Sequence, residues 1–253
     1  TGYYAKRTDV DPLETRHREP RNRVLYRRSG SAASAMDPAF LDLPAVAARL
    51  TTAEVVHTTG INAALSESCA ALMRTLLGRP RTNTLSFDVN WREELWPDGD
   101  PTLVTELAGL ADLVLVGADE ARRVFGTDDP AALRALLPRP RLLVIKDGDR
   151  QALVVDQDAN LLAEPALQVD VVEPVGAGDA FAAGLLTGIV RGEPVARCLR
   201  RGHLAAAAVL RVHADIAAPP SDAQAAGLLD ASPADWAKTT IGPDAISGPV
   251  TVT

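Results

Sequence analysis

Between about residues 40 and 230, short apolar runs alternate with helical stretches, and no other feature of the chain restricts its fold as much. Strands are expected at 54–58, at 84–87 (closing on Asp88), at 112–116 and at 142–145, each four or five residues long. Helices are expected over about 40–50, 62–77, 101–110, 118–125, 130–137, 178–190, 194–211 and 221–229. Residues 152–155 and 161–163 form a hairpin. Short, mostly apolar strands separated by helices belong in a parallel sheet covered on both faces. In such a sheet ligands bind beyond the carboxyl ends of the strands. The chemistry is therefore to be sought in Thr59-Gly60, Asp88 to Arg92, Gly117 to Glu120, Lys146 to Gly148, and Gly176 to Asp179.

The last of these carries the strongest pattern. Val169, Val171 and Val172 read as a strand end, Gly176-Ala177-Gly178 as a tight turn, and Asp179-Ala180-Phe181 as the start of an apolar helix. Glycines let the chain approach a ligand closely. A helix start presents unpaired N–H groups and the positive end of the helix dipole, which suits an anion. Such donors beside a carboxylate that can accept a proton suit phosphoryl transfer to a hydroxyl. An ordinary strand-to-helix turn capped by Asp179 accounts for these four residues equally well. A P-loop is excluded because no lysine follows the turn, and a dinucleotide fingerprint because its third glycine would stand at Phe181.

Asp88, Asn90 and Arg92 alternate along an extended strand exit, which puts them on one face where they can grip a polyol bearing a carboxylate. A solvated loop is the plainer alternative. Two strands are expected early, at 1–5 and 22–28, with a long polar loop between them and the small-residue connection 29–34 after them. Tyr4, Tyr26 and Arg28 on these strands suit a lid over a polar, acidic ligand, or simply pair across the strands. Glu120 at a helix start could help hold a hydrated Mg²⁺, or could serve the helix dipole alone. Lys146-Asp147-Gly148-Asp149 reads most simply as a turn. His57, His203 and His213 are not spaced as a metal site, and Trp91 and Trp96 are more often packing than site walls.

Composition narrows the class. With 253 residues and 47% hydrophobic content, the chain can bury a large core. A net charge of −7 disfavours a general nucleic-acid binder. Cys69 and Cys198 lack metal-like spacing and are expected as reduced core thiols. No secretory signal and no membrane-length apolar run is visible, so a cytoplasmic protein with no membrane partner is expected.

Together these stretches resemble the ribokinase-like, PfkB-type family of carbohydrate kinases. Val175-Gly176-Ala177-Gly178-Asp179-Ala180-Phe181 matches that family's second signature. Within the family, Thr1-Gly2-Tyr3-Tyr4, Arg23 to Arg28 with Gly30 to Ser34, and Phe87-Asp88-Val89-Asn90-Trp91-Arg92-Glu93-Glu94-Leu95-Trp96 resemble 2-keto-3-deoxygluconate kinases. The resemblance covers about residues 1–220 and implies an α/β fold, a parallel sheet between helices with a small β lid. It implies an ATP-dependent phosphotransferase making the 6-phosphate of 2-keto-3-deoxygluconate, or another sugar kinase of the fructokinase or ribokinase type. Asp179 would be the base and Gly176, Ala177 and Gly178 the anion hole. Tyr4, Tyr26, Arg28, Asp88, Asn90 and Arg92 would hold the sugar acid. ATP would lie against Lys146, Gly148, Gly176, Gly178, Ala207 and Ala214, with Glu120 near Mg²⁺. Lid strands in this family often pair between subunits, which leaves a homo-oligomer open.

Several positions depart from the family pattern. Glu173 stands for its usual Asp, Gly117 for the Asn three residues before the metal-site Glu, and Ala214 for a glycine of the adenine loop. The family's N-terminal part, with the first sheet strands and a Gly-Gly loop, has no counterpart, so an N-terminally truncated kinase is expected, with an inactive fragment as the alternative. The expected organisation is lid strands and connection over 1–34, a nucleotide- and substrate-binding kinase domain over 35–230, and a loosely attached tail over 231–253.

Overall fold

A computed structural model describes residues 30–96, 98–214 and 216–241 in full, and the backbone of 3–7, 23–27 and 246–247. β1 (Tyr3–Arg7) and β2 (Arg23–Arg27) pair antiparallel with Tyr4 opposite Tyr26. α1 (Pro44–Thr52) then leads into β3 (Val55–Thr59), α2 (Gly60–Ala64), α3 (Glu67–Gly78) and β4 (Thr84–Asp88). α4 (Thr102–Leu110), β5 (Leu113–Gly117), α5 (Ala118–Phe125), α6 (Pro130–Leu136) and β6 (Leu142–Asp147) continue the alternation. β7 (Gln151–Asp156) and β8 (Leu161–Pro165) form the hairpin. After β9 (Gln168–Val169) come α7 (Ala177–Val190), α8 (Val195–Leu210), α9 (Asp222–Leu229), α10 (Pro233–Trp236), β10 (Thr240–Ile241) and β11 (Ile246–Ser247).

Among the described residues the main sheet has six strands in the order β3-β4-β5-β6-β7-β8. β3 to β6 are parallel, and β7 and β8 add antiparallel pairs at one edge. Alternation along each strand divides the core. Leu85, Phe87, Val114, Val116, Leu143 and Ile145 pack on the side of α3 to α6. Leu113, Leu115, Leu142, Val144 and Val154 pack against α7 and α8. Those two helices meet closely: a Cβ built on Gly184 would stand 2.4 Å from the Arg201 carbonyl oxygen, and one on Gly188 2.8 Å from Cys198 Sγ. Only a missing side chain permits that approach. Cys69 and Cys198 are both free and buried, and burial pushes the Cys198 thiol up to about 11.

Three local expectations change. The helix foreseen over 62–77 is two helices, because Ser66 caps α3 by accepting a hydrogen bond from Cys69 N–H at 3.1 Å. The strand foreseen to run to Val172 ends at Val169, leaving Val171 and Val172 exposed. The segment after Asp230 is not loose as far as Ile241. Trp236 is buried beneath Arg200, its Nε1–H donates to the Pro165 carbonyl at 2.8 Å, and β10 pairs parallel with β9. Burying one large aromatic face outweighs the turn-rich composition that suggested a tail.

Candidate active site

The carboxyl ends of β4, β5 and β6 and the start of α7 open onto one cavity of about 1330 Å³. The cap residue before α7 is Gly176, whose φ of +85° is the left-handed geometry that favours glycine. Asp179 is therefore in the first helical turn, and the capping alternative is excluded because Gly176 holds the cap position. Ala180 N–H makes the bond back to Gly176 O at 2.9 Å, and the earlier donors of the turn precede that bond. One of them, on Ala177, already makes a long 3.4 Å contact with the Pro174 carbonyl.

Asp88 ends β4 with its side chain on the α7 face and only 1% of the residue exposed. Lys146 leaves β6 on that same face, and its Nζ donates to Asp88 Oδ2 at 2.7 Å. Between the two strands runs β5, ending at Gly117, where a Cβ would stand 3.2 Å from Glu120 Oε2. Asp88 Oδ1 is buried with no hydrogen-bond partner among the described residues, and so is Asn90 Oδ1. Lys146 also stands beside the start of α7, since a Cβ built on Gly178 would be 3.9 Å from its Nζ. His57 hydrogen-bonds Ser86 Oγ at 3.0 Å. Desolvation lowers its pKa; Asp88 opposes that, Lys146 adds to it and Asp179 opposes it, so all three charges act on one ring.

Asn90 and Arg92 both line the cavity, although not by the extended alternation expected of them, since Asn90 has φ +41°. Asn tolerates that conformation better than most residues. Arg92 is braced by Glu120, whose Oε1 accepts from Arg92 at 3.2 Å while its Oε2 accepts from Gly117 N–H at 2.9 Å. Both Glu120 oxygens are thus engaged inside the protein. Among the described residues no group of three or more His, Cys, Asp or Glu is arranged to hold a metal ion. A metal caged by protein ligands therefore has no ready-made site among these residues; a hydrated Mg²⁺ near Glu120 would have to compete with Arg92 and the Gly117 N–H for its oxygens.

Of the remaining expected site residues, Gly148, Gly176, Ala177, Gly178, Asp179, Lys146 and Ala207 line the same cavity. Ala214 is exposed and outside its lining. Tyr4 and Tyr26 face each other across the β1–β2 pair, with their side chains undescribed, and Arg28 lies outside the described residues. Sequence reasoning assigned no role to His203, which lines the cavity with Phe181 edge-on at 5.2 Å. It also missed the Asp88–Lys146 pair. Counting by twos along β4 and β6 from their buried residues would have put both side chains on the α7 face.

Comparisons with known proteins place the chain in a family. A model described as pfkB family carbohydrate kinase matches residues 15–222. The 2-dehydro-3-deoxygluconokinase of Thermoproteus tenax is 32% identical over 83% of this chain and 64% of its own length. The 2-dehydro-3-deoxygalactonokinase of Haloferax volcanii is 30% identical over 81% of this chain and 65% of its own length. The chain thus spans slightly less than two thirds of these curated relatives. Among solved structures, a PfkB protein from Polaromonas sp. JS666 superposes with a TM-score of 0.65, at 30% identity over 83% of this chain and 67% of that one. The chain belongs to the pfkB family of carbohydrate kinases.

Proposed function

We propose that this chain carries the phosphoryl-transfer centre of an ATP-dependent kinase for 2-keto-3-deoxygluconate, acting on its terminal hydroxyl. The observation that carries the proposal is a single cavity lined by Asp179 at a helix start and by Asp88, Asn90 and Arg92 at the end of β4. Asp179 takes the proton of the acceptor hydroxyl, whose oxygen attacks the γ-phosphorus of ATP as ADP leaves. The first-turn N–H groups of α7, aided by the helix dipole, stabilise the charge on the phosphoryl in transit. Arg92 offers the sugar acid's carboxylate a guanidinium already oriented by Glu120. Asn90 and Asp88 have free buried acceptors for its hydroxyls. The names of the Thermoproteus and Haloferax relatives support a 2-keto-3-deoxy sugar acid as the substrate class.

The test supplies ATP and Mg²⁺ with a panel of sugars and sugar acids and follows ADP release. Turnover of 2-keto-3-deoxygluconate well above that of fructose or ribose is expected, and the reverse order would sink the substrate assignment. Asp179→Asn should lower kcat by roughly 10²- to 10⁴-fold, the range for losing a general base, with ATP affinity nearly unchanged.

A further inference from the structure

We propose that Gly60 is a positioning residue for substrate recognition: its bare Cα seats the carbonyl of Val89, and that seat aims Asn90 at a hydroxyl of the sugar acid. This rests on the kinase reading above. Gly60 opens α2 at the end of β3, one residue past the pairing of Thr59 with Asp88. It is buried and has no positive φ, so conformational freedom does not account for a glycine there. Space does. A Cβ built on Gly60 would overlap the Val89 carbonyl oxygen and stand 3.3 Å from the carbonyl carbon. Both are backbone atoms, which cannot swing aside as the tip of a side chain can.

Val89 is held from its other side as well. The residue is fully buried, and its N–H donates to the Leu115 carbonyl of β5 at 2.9 Å. It is thus tied to β5 through its N–H and seated on Gly60 through its carbonyl. The next residue, Asn90, takes φ +41°. That conformation costs a residue with a side chain some energy, and it persists where the surroundings impose it. Trp91 then returns to the interior and stacks on Trp96 with ring centroids 4.9 Å apart. Asn90 is therefore a polar residue held between two anchored neighbours. It lines the cavity, only 9% of it is exposed, and its Oδ1 is buried with no partner among the described residues. A buried carbonyl oxygen left open is costly unless a ligand fills it. A hydroxyl of the sugar acid is a donor of the right kind. Asn90 Oδ1 accepts from it, and Gly60 acts through Asn90.

The experiment is calorimetric titration of 2-keto-3-deoxygluconate, and separately of ATP, into the wild-type chain, Gly60→Ala, Asn90→Gly and the double variant, with urea unfolding of each. Asn90→Gly removes the acceptor and leaves the positive φ accessible. Gly60→Ala and Asn90→Gly are each expected to weaken binding of the acid roughly three- to tenfold, the worth of one hydrogen bond, with ATP affinity within about twofold of wild type. The double variant should bind the acid as Asn90→Gly does, because Gly60 then has nothing left to aim. It should also unfold at higher urea than Gly60→Ala, since a glycine at position 90 lets the displaced carbonyl relax. It therefore carries the test should Gly60→Ala fail to fold. Three results would each overturn this inference alone: a folded Gly60→Ala that binds the acid like wild type, a double variant that binds it more weakly than Asn90→Gly or cannot fold, and ATP affinity that falls along with affinity for the acid. A wild-type chain that does not bind the acid would instead overturn the reading on which the inference rests.

Discussion

Two buried carboxylate–cation pairs, Glu164–Arg200 and Asp88–Lys146, are built in opposite ways. Glu164 accepts from Arg200 through both oxygens, at 3.0 and 3.4 Å. Arg200 Nη1 also donates to the carbonyls of Leu229 and Ala231, at 3.1 and 2.6 Å, and the guanidinium lies 5.0 Å over Trp236. Asp88 and Lys146 share one close contact, and Asp88 Oδ1 has none among the described residues. A native fold rarely buries a polar atom without a partner, because the lost hydration is not returned. The filled pair joins β8, α8 and the segment that reaches Ile241; both Glu164 oxygens and four of the five Arg200 N–H groups are engaged within the protein, and neither residue lines the cavity. The half-filled pair faces the cavity with acceptors and donors to spare. Burial of charge alone does not distinguish scaffold from site; unspent hydrogen-bonding capacity does.

The sharpest way to break this comparison is to strand Glu164. Arg200→Met should cost about 3–5 kcal/mol, the penalty for an uncompensated buried charge. Turnover per folded molecule should hold, because the pair touches no reacting group. Urea unfolding with activity normalised to folded protein checks both halves. A loss under about 1 kcal/mol, or a turnover defect in fully folded protein, would show that the pair is not simply scaffold.

A second, smaller effect lies beside the first. His203 donates through Nε2 to the Glu164 carbonyl at 3.1 Å, and burial holds its pKa down to about 4, with that hydrogen bond opposing the shift. The free imidazole in an unfolded chain titrates near 6.5. Between those values the unfolded state binds the extra proton, so stability is full above about pH 6.5 and falls as pH drops toward 4. The loss by pH 5 should be about 2 kcal/mol for this group. His203→Gln keeps a donor for the carbonyl and cannot titrate, so its urea midpoint should vary less with pH across that window. Equal slopes in variant and wild type would remove His203 as the source.

Much of the fold was legible because β3 to β6 are short apolar runs whose lengths and spacings admit few other arrangements. The turn at Gly176 was legible as a turn because Gly176-Ala177-Gly178-Asp179 stands just before an apolar helical run, although its residues fitted a plain cap as well as an anion site. Less accessible were relations between distant strands. Asp88 and Lys146 are 58 residues apart, and nothing local to either announces the other. Lys146 sits before Asp147-Gly148, a turn signal strong enough to hide that its own side chain points into the fold. Asp88, Asn90 and Arg92 do share the cavity, although Asn90 is not extended as the alternation required. Trp236 was obscured by the surrounding Ser, Pro and Gly, which describe the chain's path and not the depth of one ring.

A third pair lies between the two extremes and gives the smallest expected change in stability. Arg92 and Glu120 meet at 3.2 Å with side chains 38% and 21% exposed. An ion pair this open to water contributes little to folding, so Arg92→Ala should change stability by less than about 1 kcal/mol. Its effect on recognition should be larger. A guanidinium facing a carboxylate is worth about 1.5–3 kcal/mol, so KM for the keto acid should rise at least about tenfold. A neutral sugar offered as a poor alternative acceptor should show little change, since it brings no carboxylate. Glu120→Gln keeps an acceptor for Arg92 but not its charge, and should raise KM for the acid by less. An Arg92→Ala chain that loses stability but not acid selectivity would make this pair scaffold like Glu164–Arg200, and the carboxylate would then have to be met elsewhere.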